Sequence, residues 1–296
     1  MMLRAASLVL LLGGLTIGSI ADRPVEREPA RVAGRIVLTA DLHVHAFPGD
    51  GVLPPWELRK EASRRGVDVI AVTNHNHRIA ARLPVGLVRG QSGVTPLVIP
   101  GQEITSPLFH MVAVGVRRVI DWRLPLRDTI DAVHAQGGVA IAAHPVRDSW
   151  RPQDDEAVRT LDGSEAVHAL GETYSRGRFE LREFFRRARD RKPELAPIGS
   201  SDFHGSAPIG RCLSYVFADE VSEAGVLSAI RRGQTVASDN RGALIGDPAL
   251  VKLVQEAGVE TPFTRQPDPW ARLSVWIVLS ALALLICVRD VRSNPY

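Results

Sequence analysis

Cysteine is nearly absent: two residues in 296 exclude a disulfide framework. Cys212 lies mid-chain and Cys287 in an apolar run near the C-terminus, so the two are not a pair. An exported domain without a disulfide must be stable through its core. Aromatic residues are also scarce, at 5%. An excess of charge of one sign is missing too. The formal net charge is +3, and setting aside Arg4, Arg289, Asp290 and Arg292 at the two ends leaves 33 basic and 32 acidic residues. A nucleic-acid groove needs a clustered basic face, and nothing in this balance supplies one. No internal repeat is present. What the chain does have is an ordinary globular composition, 45% apolar and 23% charged, which excludes wholesale disorder. Its length suits one or two domains.

Two uncharged runs sit at the ends. Ala5 to Ile20 follows a basic start at Arg4 and precedes Ser19-Ile20-Ala21. Residues 1–21 therefore read as a secretory signal with a small-x-small cleavage site, or as an uncleaved signal anchor. Either sends the following chain across a membrane. The second run, Leu273 to Val288, has almost no polar face; with Arg272 snorkelling, residues 272–289 are expected to form a transmembrane helix. Trp270 and Trp276 suit an interface belt. Arg4 at the start and Arg289 and Arg292 in the tail (290–296) favour two cytoplasmic ends, placing the middle outside, in a periplasmic or cell-surface position.

Between the ends, residues 22–34 are charged and read as a linker. From 35 to 240, strand-like runs (35–44, 67–73, 96–103, 109–116, 138–144, 166–169, 196–201, 212–218) alternate with helix-like ones (54–65, 126–135, 179–191, 222–232). Such alternation predicts an α/β domain with a parallel sheet or barrel. Residues 241–271 carry four prolines and are expected to be a partly ordered stalk.

Five strand-like runs end in metal-ligating side chains. Asp41-Leu42-His43-Val44-His45 places His43 and His45 on one side of a strand, with Asp50 returning from the Gly49-Asp50-Gly51 loop. Thr73-Asn74-His75-Asn76-His77 ends the next run. Gly101-Gln102-Glu103 ends a third, with His110 seven residues on in a run that can turn back as a hairpin. Ala143-His144-Pro145 and Ser201-Asp202-Phe203-His204 end two more. Six of nine histidines (43, 45, 75, 110, 144, 204) fall at these places. Barrel enzymes build their sites at such strand ends, and His with carboxylate is the donor set of Zn, Mn and Fe. The convergence predicts a multinuclear metal site. Arg78 and Arg147 each follow a metal motif and could clamp a phosphate. His77 is a candidate proton donor. His134, within a helix, is expected to serve packing; His168, at a strand end, could support a ligand.

The ordered set DLHVH…GDG, VTNHNH, GQE, AAHP and SSDFHG resembles the PHP (polymerase and histidinol phosphatase) superfamily over about residues 37–240. The resemblance implies a distorted (βα)7 TIM-like barrel with two or three divalent metals at one end. It implies one ion on His43, His45, Glu103 and Asp202, a second on Glu103, His110 and His144, and a third on Asp50, His75 and His204. Leu161-Asp162-Gly163-Ser164-Glu165-Ala166-Val167, Ile209-Gly210 and residues 226–235 resemble the carbaryl-hydrolase-like branch. One departure is Asn74, where the family carries Asp before the second-motif His; this is expected to weaken the third ion's support. Two ions sharing Glu103 would share a water that Glu103 and Asp202 help to hold, giving a hydroxide nucleophile.

The expected function is therefore a membrane-anchored, extracytoplasmic metal-dependent hydrolase, a phosphoesterase acting on a small-molecule ester, with no nucleic-acid partner. A carboxyl- or carbamate-ester hydrolase with the same ions is the chemical alternative. An inactive metal-stabilised binding module is the non-enzymatic one.

Overall fold

The computed structural model describes residues 2–21, 28–78, 96–146, 149–151, 155–169, 175–239, 241–258 and 269–290. They fall into two compact units, Glu26–Thr264 and the paired ends Met1–Val25 with Arg265–Tyr296.

The larger unit runs β1 (Ala30–Val32), β2 (Arg35–Val44), α2 (Pro55–Arg64), β3 (Val69–Val72), β4 (Leu97–Thr105), β5 (His110–Val114), α3 (Leu126–His134) and β6 (Val139–Ala142). It continues with α4 (Asp155–Val158), β7 (Gly163–His168), α5 (Ser175–Arg191), β8 (Ala196–Ser200), β9 (Leu213–Ala218), α6 (Glu223–Arg231), β10 (Thr235–Ser238), β11 (Leu244–Gly246) and α7 (Pro248–Ala257). The strands form one sheet in the order β11-β10-β9-β2-β3-β4-β5-β6-β7-β8, with β1 beside β2. The end of β8 comes back to β2: Val44 and Phe203 form a parallel bridge, and the His45 N–H donates to the Phe203 carbonyl at 2.9 Å. β2 to β8 thus make a nearly closed seven-stranded barrel.

A strict sevenfold strand–helix alternation does not hold. β4 turns straight into β5, which lies antiparallel to both β4 and β6. The Ser106–Phe109 link is too short for a crossover helix. It is closed by the Ser106 N–H donating to the Phe109 carbonyl at 3.0 Å, while the Leu108 and Phe109 N–H groups donate to Ser106 Oγ. This hairpin aligns Thr105 with His110 and brings both close to Glu103.

Residues 244–257, within the expected stalk, are regular. β11 pairs with β10, and Leu250 and Val254 of α7 bury against Val37, Tyr215 and Phe217. Pro248 occupies the first turn of α7, where its missing N–H costs nothing, and Asp247 caps it by accepting from the Ala249 N–H at 2.8 Å. One of the four prolines of the expected stalk is thus a helix start. Likewise Ala30–Val32, within the expected linker, pairs antiparallel with β2.

Leu38, Ala40 and Leu42 of β2 join Val69, Ile99 and Ile141 in one core cluster. Val44 and Ala46 belong to a different cluster, with Leu58 and Ala62 of α2. A register shift between Asp41 and Val44 accounts for the change. Alternation from Leu38 to Leu42 would otherwise send His43 and His45 to the opposite face.

The smaller unit consists of α1 (Met2–Ala21) and a C-terminal helix, α8 (Pro269–Asp290). Among the described residues, one helical stretch is long and apolar enough to cross a membrane by length and composition, Arg4–Ala21. The apolar part of α8, Leu273–Ile286, is shorter than that measure. By that measure the expected C-terminal span is not borne out among the described residues.

Candidate metal centre

Glu103, fully buried at the end of β4, is the hub. Its Oε2 lies 3.3 Å from His43 Nε2, 3.4 Å from His45 Nε2 and 2.8 Å from His75 Nδ1. Its Oε1 lies 3.0 Å from His110 Nδ1 and 3.2 Å from His144 Nε2. Asp202 Oδ1 closes on the same histidines, at 3.2 Å from His43 Nε2 and 3.1 Å from His45 Nε2. Asp50 Oδ2 lies 3.1 Å from both His75 Nε2 and His204 Nε2, while its Oδ1 accepts from His45 Nδ1 at 3.0 Å. The Asp50 loop reaches the site because Gly51 crosses β2 closely: a Cβ there would stand 2.1 Å from the His45 carbonyl oxygen.

Three groups of ligand atoms, each within 4.8 Å of one another, result: His43, His45, Glu103 and Asp202; Glu103, His110 and His144; and His45, Asp50, His75 and His204. A fourth joins His43, His144 and His168. His43 Nε2, His45 Nε2, Glu103 Oε2 and Asp202 Oδ1 are buried and make no hydrogen bond. Buried polar atoms are normally satisfied, so four converging on one spot fit a cation. Nitrogen and carboxylate donors together suit Zn, Mn or Fe. His144 and Asp202 hold their backbones at φ 27° and 52°, the left-handed region that non-glycine residues rarely adopt. Such strain gathers where side chains must be aimed.

The charges are strongly coupled. Burial alone would lift the carboxyls of Glu103 and Asp202, but His43 and its neighbours hold both well below the usual range. Burial opposes a proton on His43; Asp202, Glu103 and Glu165 outweigh it and raise the ring well above its ordinary value. His45 is pushed up to about 9 against its own burial by the carboxylates of Asp202 and Glu103, 3.1 and 3.4 Å from its Nε2. His168 behaves oppositely: burial lowers it to about 4 despite Glu165 nearby.

All nine residues expected as ligands are brought together. Around them stand groups outside the nine ligand positions. Glu165, buried in β7, accepts from His43 Nδ1–H at 2.9 Å and from the His144 backbone N–H at 2.5 Å. His168 Nε2 lies 3.6 Å from Asp202 Oδ2 and 3.7 Å from Glu165 Oε2. Asp41 accepts the Ser201 and Gly210 N–H groups at 3.0 and 2.8 Å, which fixes the loop carrying Asp202; burial raises its carboxyl to about 6. Glu165 lies in the 161–167 segment that resembles the carbaryl-hydrolase-like branch, which gave it no role of its own. Thr105, 2.6 Å from His75 Nδ1, gave none.

Asn74 does not take the expected place beside His75. Its amide donates to the Ala46 carbonyl at 2.6 Å and accepts the Ala46 N–H at 3.3 Å, a two-way bridge that a carboxylate could not make. His134 sits 2.8 Å from Asp162 Oδ2, away from these groups. His77 is partly exposed and Arg78 is buried. Arg147 lies outside the described residues.

Directly after His144, Pro145 and Val146 border a cleft of about 670 Å³. Its other walls include Trp150, Phe179, Phe184 and Arg176.

A two-domain protein of Bacteroides vulgatus containing a predicted PHP-like metal-dependent phosphoesterase is similar in structure, with a TM-score of 0.61 and 21% identity over 79% of this chain and 74% of that one. The lesion-specific endonuclease PfuEndoQ of Pyrococcus furiosus aligns at a TM-score of 0.45 and 12% identity, over 78% of this chain and 74% of its own. No protein-family model matches the chain. In sequence, the uncharacterized protein MJ1587 of Methanocaldococcus jannaschii is 30% identical over 145 residues, 45% of this chain and 82% of that protein. The chain belongs to the same family as that protein.

Proposed function

We propose that the chain is a metal-dependent hydrolase cleaving phosphate esters at the centre around Glu103. The observation that carries this reading is the convergence of His43 Nε2, His45 Nε2, Glu103 Oε2 and Asp202 Oδ1, all buried and without a hydrogen bond. Burying such atoms unpaired is costly unless a cation joins them. In this reading His43, His45, Glu103 and Asp202 hold one ion and Glu103, His110 and His144 a second. Asp50, His75 and His204, with His45, hold a third. Bound divalent ions supply Lewis acidity toward the ester oxygen and bring the pKa of water toward neutrality.

The chain's own residues do the rest. Glu103 sets the spacing of two sites through its two oxygens, and Asp202 closes the first. Glu165 keeps the His43 ring oriented so that Nε2 faces inward. His77 is assigned to proton delivery and Arg147 to holding the phosphate. The cleft beside His144 takes the organic part of a small-molecule ester through Trp150, Phe179 and Phe184. The near-neutral charge between the ends supports a small ester over a nucleic acid. The likeness of 161–167 and 226–235 to the carbaryl-hydrolase-like branch favours a second reading, carboxyl- or carbamate-ester cleavage. The uncharged end segments and their arginines support a membrane-anchored protein with its barrel outside the cytoplasm.

The test is metal analysis of the purified protein with a panel of phosphomonoesters, phosphodiesters and naphthyl esters. Phosphate release that chelation abolishes is the expected result, and Glu103→Gln should lower it to the chelated level with the fold intact. Turnover of carboxyl esters alone would replace the phosphoesterase reading.

A further inference from the structure

α1 and α8 pack against each other through small residues. A Cβ on Gly14 would stand 2.9 Å from Val278 Cγ2, and one on Gly18 2.9 Å from Ser274 Oγ. Positions 14 and 18 meet 278 and 274 in reverse order, so the helices run antiparallel. Both pairs are four residues apart, which keeps each helix on one ridge. Ser7 and Ala281 are fully buried and Ser274 nearly so. Large apolar side chains point the other way: Leu12 and Leu15 of α1 and Trp276 and Ile286 of α8 are 52–69% exposed.

A helix pair meant for water buries its large apolar side chains and turns polar ones out. This pair is largely inverted: Ser7, Gly14, Gly18 and Ser274 lie inside, with Ile277 and Val278 closing on Gly14, while most leucines and both tryptophans of the pair stand outside. Close backbone approach over small residues is how helices associate where the surrounding solvent is itself apolar. The 20 residues of α1 rise about 30 Å, the thickness of a bilayer's hydrocarbon layer.

We propose that α1 is retained in the mature protein and crosses the lipid bilayer together with α8 as an antiparallel hairpin, closed along Gly14 and Gly18. The inference rests on the membrane-anchored reading and deepens it: the N-terminal segment is a permanent partner of α8 and is not a signal removed after Ala21. Alone, α8 offers only a short uncharged run; paired, its contact ridge is covered and the surface left to lipid is mostly apolar. Ala21 and Pro269 then end the hairpin at one membrane face.

The full chain is isolated from washed membranes and its intact mass is measured. The same preparation is made from two double-cysteine variants, Gly18→Cys with Ser274→Cys, and Gly13→Cys with Ser274→Cys as control. The Gly18 Cβ position lies 3.3 Å from Ser274 Cβ, close to disulfide reach, whereas that of Gly13 has no atom within 4 Å. The expected results are a mass that includes residues 1–21 and an oxidant-induced 18–274 linked peptide, at least about tenfold over the control pair. A membrane-bound chain cut after Ala21 overturns the hairpin, as do linked peptides absent from both pairs or equal in the two. A chain that washes off the membrane overturns the anchor itself.

Discussion

The two oxygens of Glu103 face different partners, Oε2 toward His43 and His45 and Oε1 toward His110 and His144. In the metal-free centre, protons stand in for cations: His45 is raised to about 9 and His43 well above its ordinary value. A metal needs the neutral ring nitrogen, so binding at pH 7 must expel protons, and affinity falls as pH drops. Calorimetry of Zn2+ or Mn2+ binding in two buffers of different ionisation enthalpy should show release of about one proton or more per chain; a buffer-independent heat would contradict the arrangement. The stability of the chelated protein has the matching sign. Because its folded-state pKa lies above the ordinary 6.5, the contribution of His45 is complete below that pH and is lost as pH rises through about 9. The nine ligand positions were legible in the sequence because each sits in a short motif at a strand end. Asp41, Thr105 and Glu165 were less legible, because their work is done across the barrel on residues distant in sequence.

Strand ends carry the centre, but not all strands contribute alike. β7 gives no residue of the three ligand groups around Glu103. Its Glu165 nevertheless joins the ends of β2 and β6 by holding His43 Nδ1 and the His144 backbone at once. Glu165→Gln keeps the shape and removes the charge that orients His43. Metal affinity should fall about 10- to 100-fold with little change in fold, as read by competition with a chromogenic chelator. Unchanged affinity would mean that β7 only fills space. Element types were largely readable from periodicity. The β4–β5 hairpin was anticipated at His110 and is closed by a Ser106 turn; α7, by contrast, opens on a proline within the expected stalk. The register shift in β2 had no signal at all, since Asp41-Leu42-His43-Val44-His45 alternates evenly as written.

At the scale of the molecule, two units have opposite designs. The barrel unit buries large apolar side chains around β2 to β8, whereas the helical ends bury small ones and expose large ones. The unit Glu26–Thr264 contains every described ligand and its own core clusters. A chain of residues 26–264 should therefore be soluble, monodisperse without detergent and metal-binding with the stoichiometry of the full protein, as size exclusion and metal analysis would read. Removing α8 alone should leave the protein on membranes through α1. Sequence by itself determined the α/β class, the set of candidate ligand residues and the apolar character of both ends, because motif spacing and composition are local properties. Only the tertiary structure decided which face His43 and His45 take, that Asn74 bridges to Ala46 instead of supporting His75, and that the two ends pack together. Each of these depends on contacts between segments far apart in the chain, and no local pattern encodes where such segments meet.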